Sequence, residues 1–236
     1  MSCAYKRILL KLSGEGLMGK QAFGIDEVVL DNIVESIKKV RKQKVELCIV
    51  IGGGNFYRGV NNKSKSISRS VADQAGMLAT IINALFLKGA LEKEGVLTEI
   101  LSGLNAPQVV EPYSYRKAKE LLSKGYVLIF AGGTGNPYFT TDTGATLRAL
   151  ETDCDALFKA TQVDGVYDSD PKKNPDAKRF NQISYDEVIT KELKVMDMTA
   201  ISMARENKLP IVVFKQETSS SLVDAINNKG NYTTIK

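Results

Sequence analysis

Apolar residues along this chain recur with two periods. KRILLKL (6–12), VELCIVI (45–51), LTEIL (97–101), YVLIF (126–130), ALFKA (156–160) and IVVF (211–214) are short runs dense in branched and aromatic side chains, the pattern of strands. Most are too continuously apolar for a sheet with one wet face, which predicts burial on both faces. Between them the spacing turns helical. From Asp26 to Gln43, Val29, Ile33, Ile37 and Val40 share one helical face, and Lys38, Lys39, Arg41, Lys42 and Lys44 gather near the end, where cations suit the helix dipole. Further helices are predicted near 71–94, 111–124, 142–151, 184–193, 198–207 and 219–228. Strands alternating with helices predict an α/β chain whose mostly parallel central sheet is sandwiched between helices.

The 236 residues, 43% hydrophobic and 25% charged, suffice for one large core, and the expectation is a single domain over 1–236. No repeat or linker divides them, although the polar stretch 162–182 is long enough that function is expected of it. The N-terminal apolar run is broken by Lys11, and no later stretch reaches about 20 uncharged apolar residues, so no signal, no membrane span and a cytoplasmic location are expected. Cys3, Cys48 and Cys154 fit neither a disulfide framework nor a zinc spacing and are read as reduced thiols. The net charge of +5 is dispersed along helices, which predicts a solvated surface rather than a specific nucleic-acid face.

Histidine is absent, which excludes Ser-His and Cys-His nucleophiles and His-ligated metals and favours chemistry without a proton shuttle. GEGLMGKQ (14–21) mimics two nucleotide motifs. The dinucleotide fingerprint fails because no acidic residue ends the second strand and no helix starts at Gly19, and the P-loop fails because Gln21 replaces the magnesium-binding hydroxyl. What remains is glycine at three strand ends: Gly14 and Gly16; Gly52, Gly53 and Gly54; Gly132, Gly133 and Gly135. In a parallel sheet these loops share one edge, where bare backbone amides approach phosphates closely. Lys11, Arg58 and Asp142 accompany them, and Thr140, Thr141 or Asp142 is expected to cap the helix after PYFTTDTG. Asp73 reads equally as a surface acid or as a carboxylate for ribose hydroxyls, and Asp164, Asp168 and Asp170 only loosely resemble a calcium loop.

KRILLKLSGE, VIGGGNFYRG, AGGTGNPYFTTDT, KATQVDGVYDSDP and KELKVMDMTAISMARENKLPI, in this order, resemble the bacterial UMP kinases of the amino acid kinase family across essentially the whole chain. The resemblance implies the amino acid kinase (acetylglutamate kinase-like) fold and transfer of the ATP γ-phosphoryl group to UMP with magnesium, usually by a homohexamer inhibited by UTP. It implies catalytic roles for Lys11, Arg58, Asp142 and Lys159, with Lys159 equally readable as a plain strand-end lysine. It places Lys11, Leu12, Ser13, Gly14, Gly54, Arg58, Thr161, Tyr167 and Asp170 on ATP, Tyr167 being open to a core role instead. Gly53, Asp73, Thr134, Gly135, Asn136, Pro137, Tyr138, Phe139, Thr140 and Thr141 fall on UMP. Lys88 and Glu92 stand where some relatives bind the activator GTP, and a glutamate facing a triphosphate implies weak or absent activation. The same fold also serves ATP-binding storage or sensor proteins that do not catalyse, the alternative reading.

Overall fold

The computed structural model describes residues 5–57 and 67–236. In chain order the elements are β1 (Arg7–Leu12), α1 (Glu27–Lys42), β2 (Glu46–Ile51), α2 (Arg69–Lys93), β3 (Thr98–Ser102), β4 (Glu111–Pro112), α3 (Tyr115–Ser123), β5 (Val127–Ala131), α4 (Thr141–Glu151), β6 (Ala156–Thr161), β7 (Gln182–Ile183), α5 (Tyr185–Thr190), α6 (Met198–Glu206), β8 (Ile211–Lys215), α7 (Ser221–Ile226) and β9 (Tyr232–Ile235). Among the described residues the strands form one sheet, ordered β4-β3-β5-β2-β1-β6-β8-β9-β7. Every neighbouring pair is parallel except β8 and β9.

The six apolar runs are the six central strands, and the side-chain period of two splits each run between two cores. Ile8, Leu10, Leu47, Ile49, Ile129 and Phe158 pack against α1, α2 and α7. Leu9, Cys48, Val50, Leu128, Phe130 and Leu157 pack against α3, α4, α5 and α6. The expected sandwich is therefore present. The short β4, β7 and β9 escaped the sequence pattern: β4 is a two-residue edge strand containing Pro112, which an edge tolerates, and β9 carries two threonines in four residues.

Helix starts follow local chemistry. Asp26 accepts a hydrogen bond from Val29 N, Ser184 forms a capping box with Glu187, and Asp197 accepts from Ala200 N. α2 is long and apolar enough by composition to cross a membrane, more so than the sequence reading allowed. Its Ile81, Ala84, Leu87 and Leu91 are instead core residues against the sheet, while Leu78, Ile82, Leu85 and Phe86 lie exposed on other sides.

The polar stretch 162–182 is tied down by β9. The fully buried Thr233 hydroxyl accepts from Val166 N at 2.8 Å and donates to Phe180 O. Thr233→Val keeps the shape but leaves both groups unpaired, so a loss of about 1–3 kcal/mol is expected in urea denaturation.

Candidate active site

Lys11 and Lys159 are direct partners in the register of β1 and β6. Both sit on the face of the sheet that α4 covers, and both are nearly buried, at 8% and 9% exposure. Two ammonium groups side by side on neighbouring strands repel. Asp142, in the first turn of α4, answers both: its Oδ1 lies 2.8 Å from Lys11 Nζ and its Oδ2 accepts from Lys159 Nζ at 2.8 Å. The Lys11 contact is an ion pair without hydrogen-bond alignment, leaving Oδ1 unsatisfied in that sense. Lys159 also donates to Val195 O at 2.5 Å. It is thus part of a charge cluster, not a plain strand-end lysine.

Burial opposes the Asp142 charge, but Lys11 and Lys159 outweigh it and hold the carboxyl below its ordinary value. Burial also pushes the Lys159 ammonium below the usual lysine range, with Asp142 pulling the other way. An arriving phosphate, like Asp142, favours the charged form.

The glycine loops meet where expected, on the edge formed by the strand C-termini. A methyl group added at Gly14 would stand 2.5 Å from Gly52 O and 2.6 Å from Gly54 N, so the first two loops touch backbone to backbone. GEGLMG forms no nucleotide fingerprint: a 3₁₀ turn (Glu15–Met18) follows β1, and Lys20 is exposed. The second loop is locked by two buried amides that sequence reasoning missed. Asn55 and Asn83 exchange side-chain hydrogen bonds of 2.9 and 2.7 Å, and Asn83 also donates to Gly52 O at 2.7 Å. Thr80, one turn earlier on α2, accepts from Gly132 N at 2.8 Å and so fixes the third loop. The signal was available: Thr80 and Asn83 are polar residues three apart inside an apolar helical run.

Asp197 was missed as well. It accepts from Thr140 Oγ1 and from Thr143 Oγ1 at 2.9 Å while capping α6. Thr140 in turn accepts from Asp142 N at 3.0 Å and Thr143 N at 3.4 Å, capping α4. Its one proton and both lone pairs are therefore engaged within the protein.

Two sets of cavities open near the strand ends that carry the lysines. One, about 280 Å³, is lined by Gly53, Gly54, Asp73, Phe139, Thr140 and Thr141 among others. Thr134, Gly135, Asn136, Pro137 and Tyr138 are not in its wall but form the loop leading into it. Asp73 accepts from Tyr138 N at 2.8 Å and its side chain is only 12% exposed, which sets aside the reading as a plain surface acid. The other set is a trough of adjoining cavities of about 610, 510 and 240 Å³ around the ends of β6 and β8. Lys159, Thr161, Tyr167 and Asp170 line the largest, and Leu12 and Ser13 line the smallest. Glu15 lines both the smallest and the 280 Å³ cavity. Tyr167 is only partly buried; its hydroxyl donates to Asp164 at 2.6 Å, and that bond raises its pKa. Asp168 and Asp170 accept from Lys178 N and Lys172 N, turn chemistry rather than a metal loop. Arg58 lies outside the described residues.

The model of the amino acid kinase family matches residues 6–215. The chain belongs to the amino acid kinase family. Within it, the chain is 55% identical over 232 residues to the uridylate kinase of Rickettsia typhi, covering 98% of this chain and 95% of that one. The crystal structure of UMP kinase from Ureaplasma parvum is 40% identical, with a TM-score of 0.93 and 98% of each chain covered. That of UMP kinase from Bacillus anthracis is 36% identical, with a TM-score of 0.94 and 98% and 96% of the two chains covered.

Asp142→Asn removes the counter-charge of two buried lysines, and a loss of about 3–5 kcal/mol is expected. A carboxyl depressed in the native state contributes stability that is fully present above the unfolded value of about 3.9 and is lost as pH falls through the native value. Urea denaturation is therefore expected to show a constant gap between wild type and variant from about pH 5 to 8, closing only in acid.

Proposed function

We propose that this chain is a UMP kinase that transfers the γ-phosphoryl group of ATP to UMP, giving UDP and ADP. The observation that carries the reading is the pair of lysines held by one carboxylate between two nucleotide-sized spaces, and the high identity to uridylate kinases supports it. The acceptor is UMP in the 280 Å³ cavity, with Asp73 on the ribose and Gly53 and the 134–141 segment around phosphate and base. Because the Thr140 hydroxyl is engaged, Thr141 and backbone groups are the donors that meet UMP there. ATP lies along the trough, its adenosine near Thr161, Tyr167 and Asp170 and its phosphates near 11–14 and Gly54.

UMP's phosphate has a second pKa of about 6 and is largely dianionic at neutral pH, so no general base is required and the lack of histidine costs nothing. A phosphate oxygen of UMP attacks the γ-phosphorus as the bond to the β–γ bridging oxygen breaks, and ADP leaves with that oxygen. Lys11 and Lys159 meet the charge that spreads over the transferring group, Asp142 orients them, and the loop amides add fixed donors without reorganising. Lys11 and Lys159 at the strand ends, only partly neutralised by their shared Asp142, suit phosphate, and magnesium fits as an ion carried by the ATP phosphates that adds charge neutralisation. Arg58 belongs to the same group by resemblance.

The single sheet of the described strands supports one domain over 1–236, and the cytoplasm is the place of action that goes with a kinase of free nucleotides. UTP, sharing the uridine site, is a competitive inhibitor. GTP activation is weak, since Lys88 is engaged by Glu99 at 2.6 Å and Glu92 at 3.8 Å. The exposed apolar face of α2 supports self-association into a homohexamer.

ADP production should require UMP, with little turnover on aspartate or acetylglutamate; ATP binding without turnover on any acceptor would instead support a storage or sensor protein. Asp73→Asn should raise KM for UMP more than KM for ATP, and equal rises would contradict the assignment. Leu85→Asp with Phe86→Asp should lower the mass seen by sedimentation while circular dichroism stays unchanged.

A further inference from the structure

The loop that leads into the acceptor cavity has few anchors of its own. Asn136 N and Asn136 Nδ2 both donate to Thr134, which ties the segment only to itself. Gly135 N donates to Gly132 O at one end, and Thr140 is held by Asp197 at the other. In between stands Tyr138, 62% exposed and with φ +72°. A bulky residue in the left-handed region is strained and persists only where other contacts impose it. Core packing does not impose it here.

Two contacts from the start of α2 do. Tyr138 N donates to Asp73 Oδ2 at 2.8 Å, across 65 residues of sequence. Arg69, one helical turn before Asp73, places its Nε 3.5 Å from the same oxygen and its guanidinium carbon 4.7 Å from the centre of the Tyr138 ring. The guanidinium thus bridges the carboxylate and the aromatic face, and its planar fork suits both at once. It touches both the amide's acceptor and the amide's own side chain.

We infer that Arg69 and Tyr138 form a clamp that holds the 134–140 loop against the acceptor cavity, making Arg69 a positioning residue for UMP. The inference rests on the assignment of UMP to this cavity. Asp73 then serves twice, toward the ribose and toward the loop, and Arg69 keeps its Oδ2 oriented for the second task. Phe139, which follows Tyr138 directly, and Thr141, three residues on, take their places in the cavity wall from the clamp. ATP binding lies across the lysines and does not involve it.

The test is steady-state kinetics on Arg69→Ala, Arg69→Lys, Tyr138→Leu and the Arg69→Ala/Tyr138→Leu double variant, with Asp73→Asn alongside. Each of the Ala and Leu variants should raise KM for UMP about 3- to 5-fold, the size of an exposed cation–π and ion-pair contact, with KM for ATP unchanged. Arg69→Lys should retain part of the effect. The double variant should be no worse than the stronger single one, because both changes break one unit. Multiplicative effects, equal rises in both KM values, or no change while Asp73→Asn still raises KM for UMP would overturn the clamp and leave the cavity assignment standing. If Asp73→Asn itself leaves KM for UMP unchanged, the cavity assignment falls and the clamp with it.

Discussion

Two like charges on adjacent strands, cancelled by one carboxylate, are the constraint around which this molecule is arranged. Lys11 and Lys159 belong to strands far apart in sequence that the sheet order makes neighbours, and they are aligned in register. Nothing in β1 or β6 can neutralise them. The opposing charge has to come from the layer above, so the start of α4 must sit over the C-terminal ends of β1 and β6. Asp142 is placed there by a relay in which Asp197 fixes Thr140 and Thr140 caps α4. Asp197 in turn requires α6, which places a helix from the far end of the chain among the determinants of the site.

The relay also gives the site its chemical character. A helix start next to two partly neutralised lysines is a region of net positive potential, and it opens toward glycine-rich loops whose backbone amides lie bare at several positions. Such a surface stabilises phosphate oxygens without contributing a proton donor or acceptor of intermediate pKa. Phosphoryl transfer between two anions is the chemistry that gains most from it. The trough and the smaller cavity supply two places from which anions can approach, with Glu15 in the wall between them.

The buried amides explain how three glycine loops keep one shape. Glycine lets the loops touch but gives them no rigidity. Asn83 and Thr80 on α2 provide it through side chains that satisfy backbone groups of two separate loops. Burying them would be costly if any partner were missing, so the helix and both loops must assemble together. The same helix carries Asp73 and Arg69 at its start, which links the wall of the 280 Å³ cavity to the glycine loops through one element.

Much of this was legible in the chain. The six apolar runs, the alternating helices, the glycines at strand ends and the motif around TGNPYFTTD depend on local spacing, and local spacing is what periodicity records. The lack of histidine excluded whole classes of mechanism before any fold was known. The roles of Asp197, Asn83 and Arg69 were not legible, nor were the short strands β4, β7 and β9. Each of the three side chains depends on a partner 30 or more residues away: Asn83 on Gly52, Asp197 on Thr140 and Arg69 on Tyr138. The sequence alone determined the six central strands, the helices between them and which residues carry charge to the sheet edge. Only the tertiary structure decided that Lys11 and Lys159 stand side by side under Asp142, because strand order and register are set by packing between distant segments and leave no mark in the spacing of either strand.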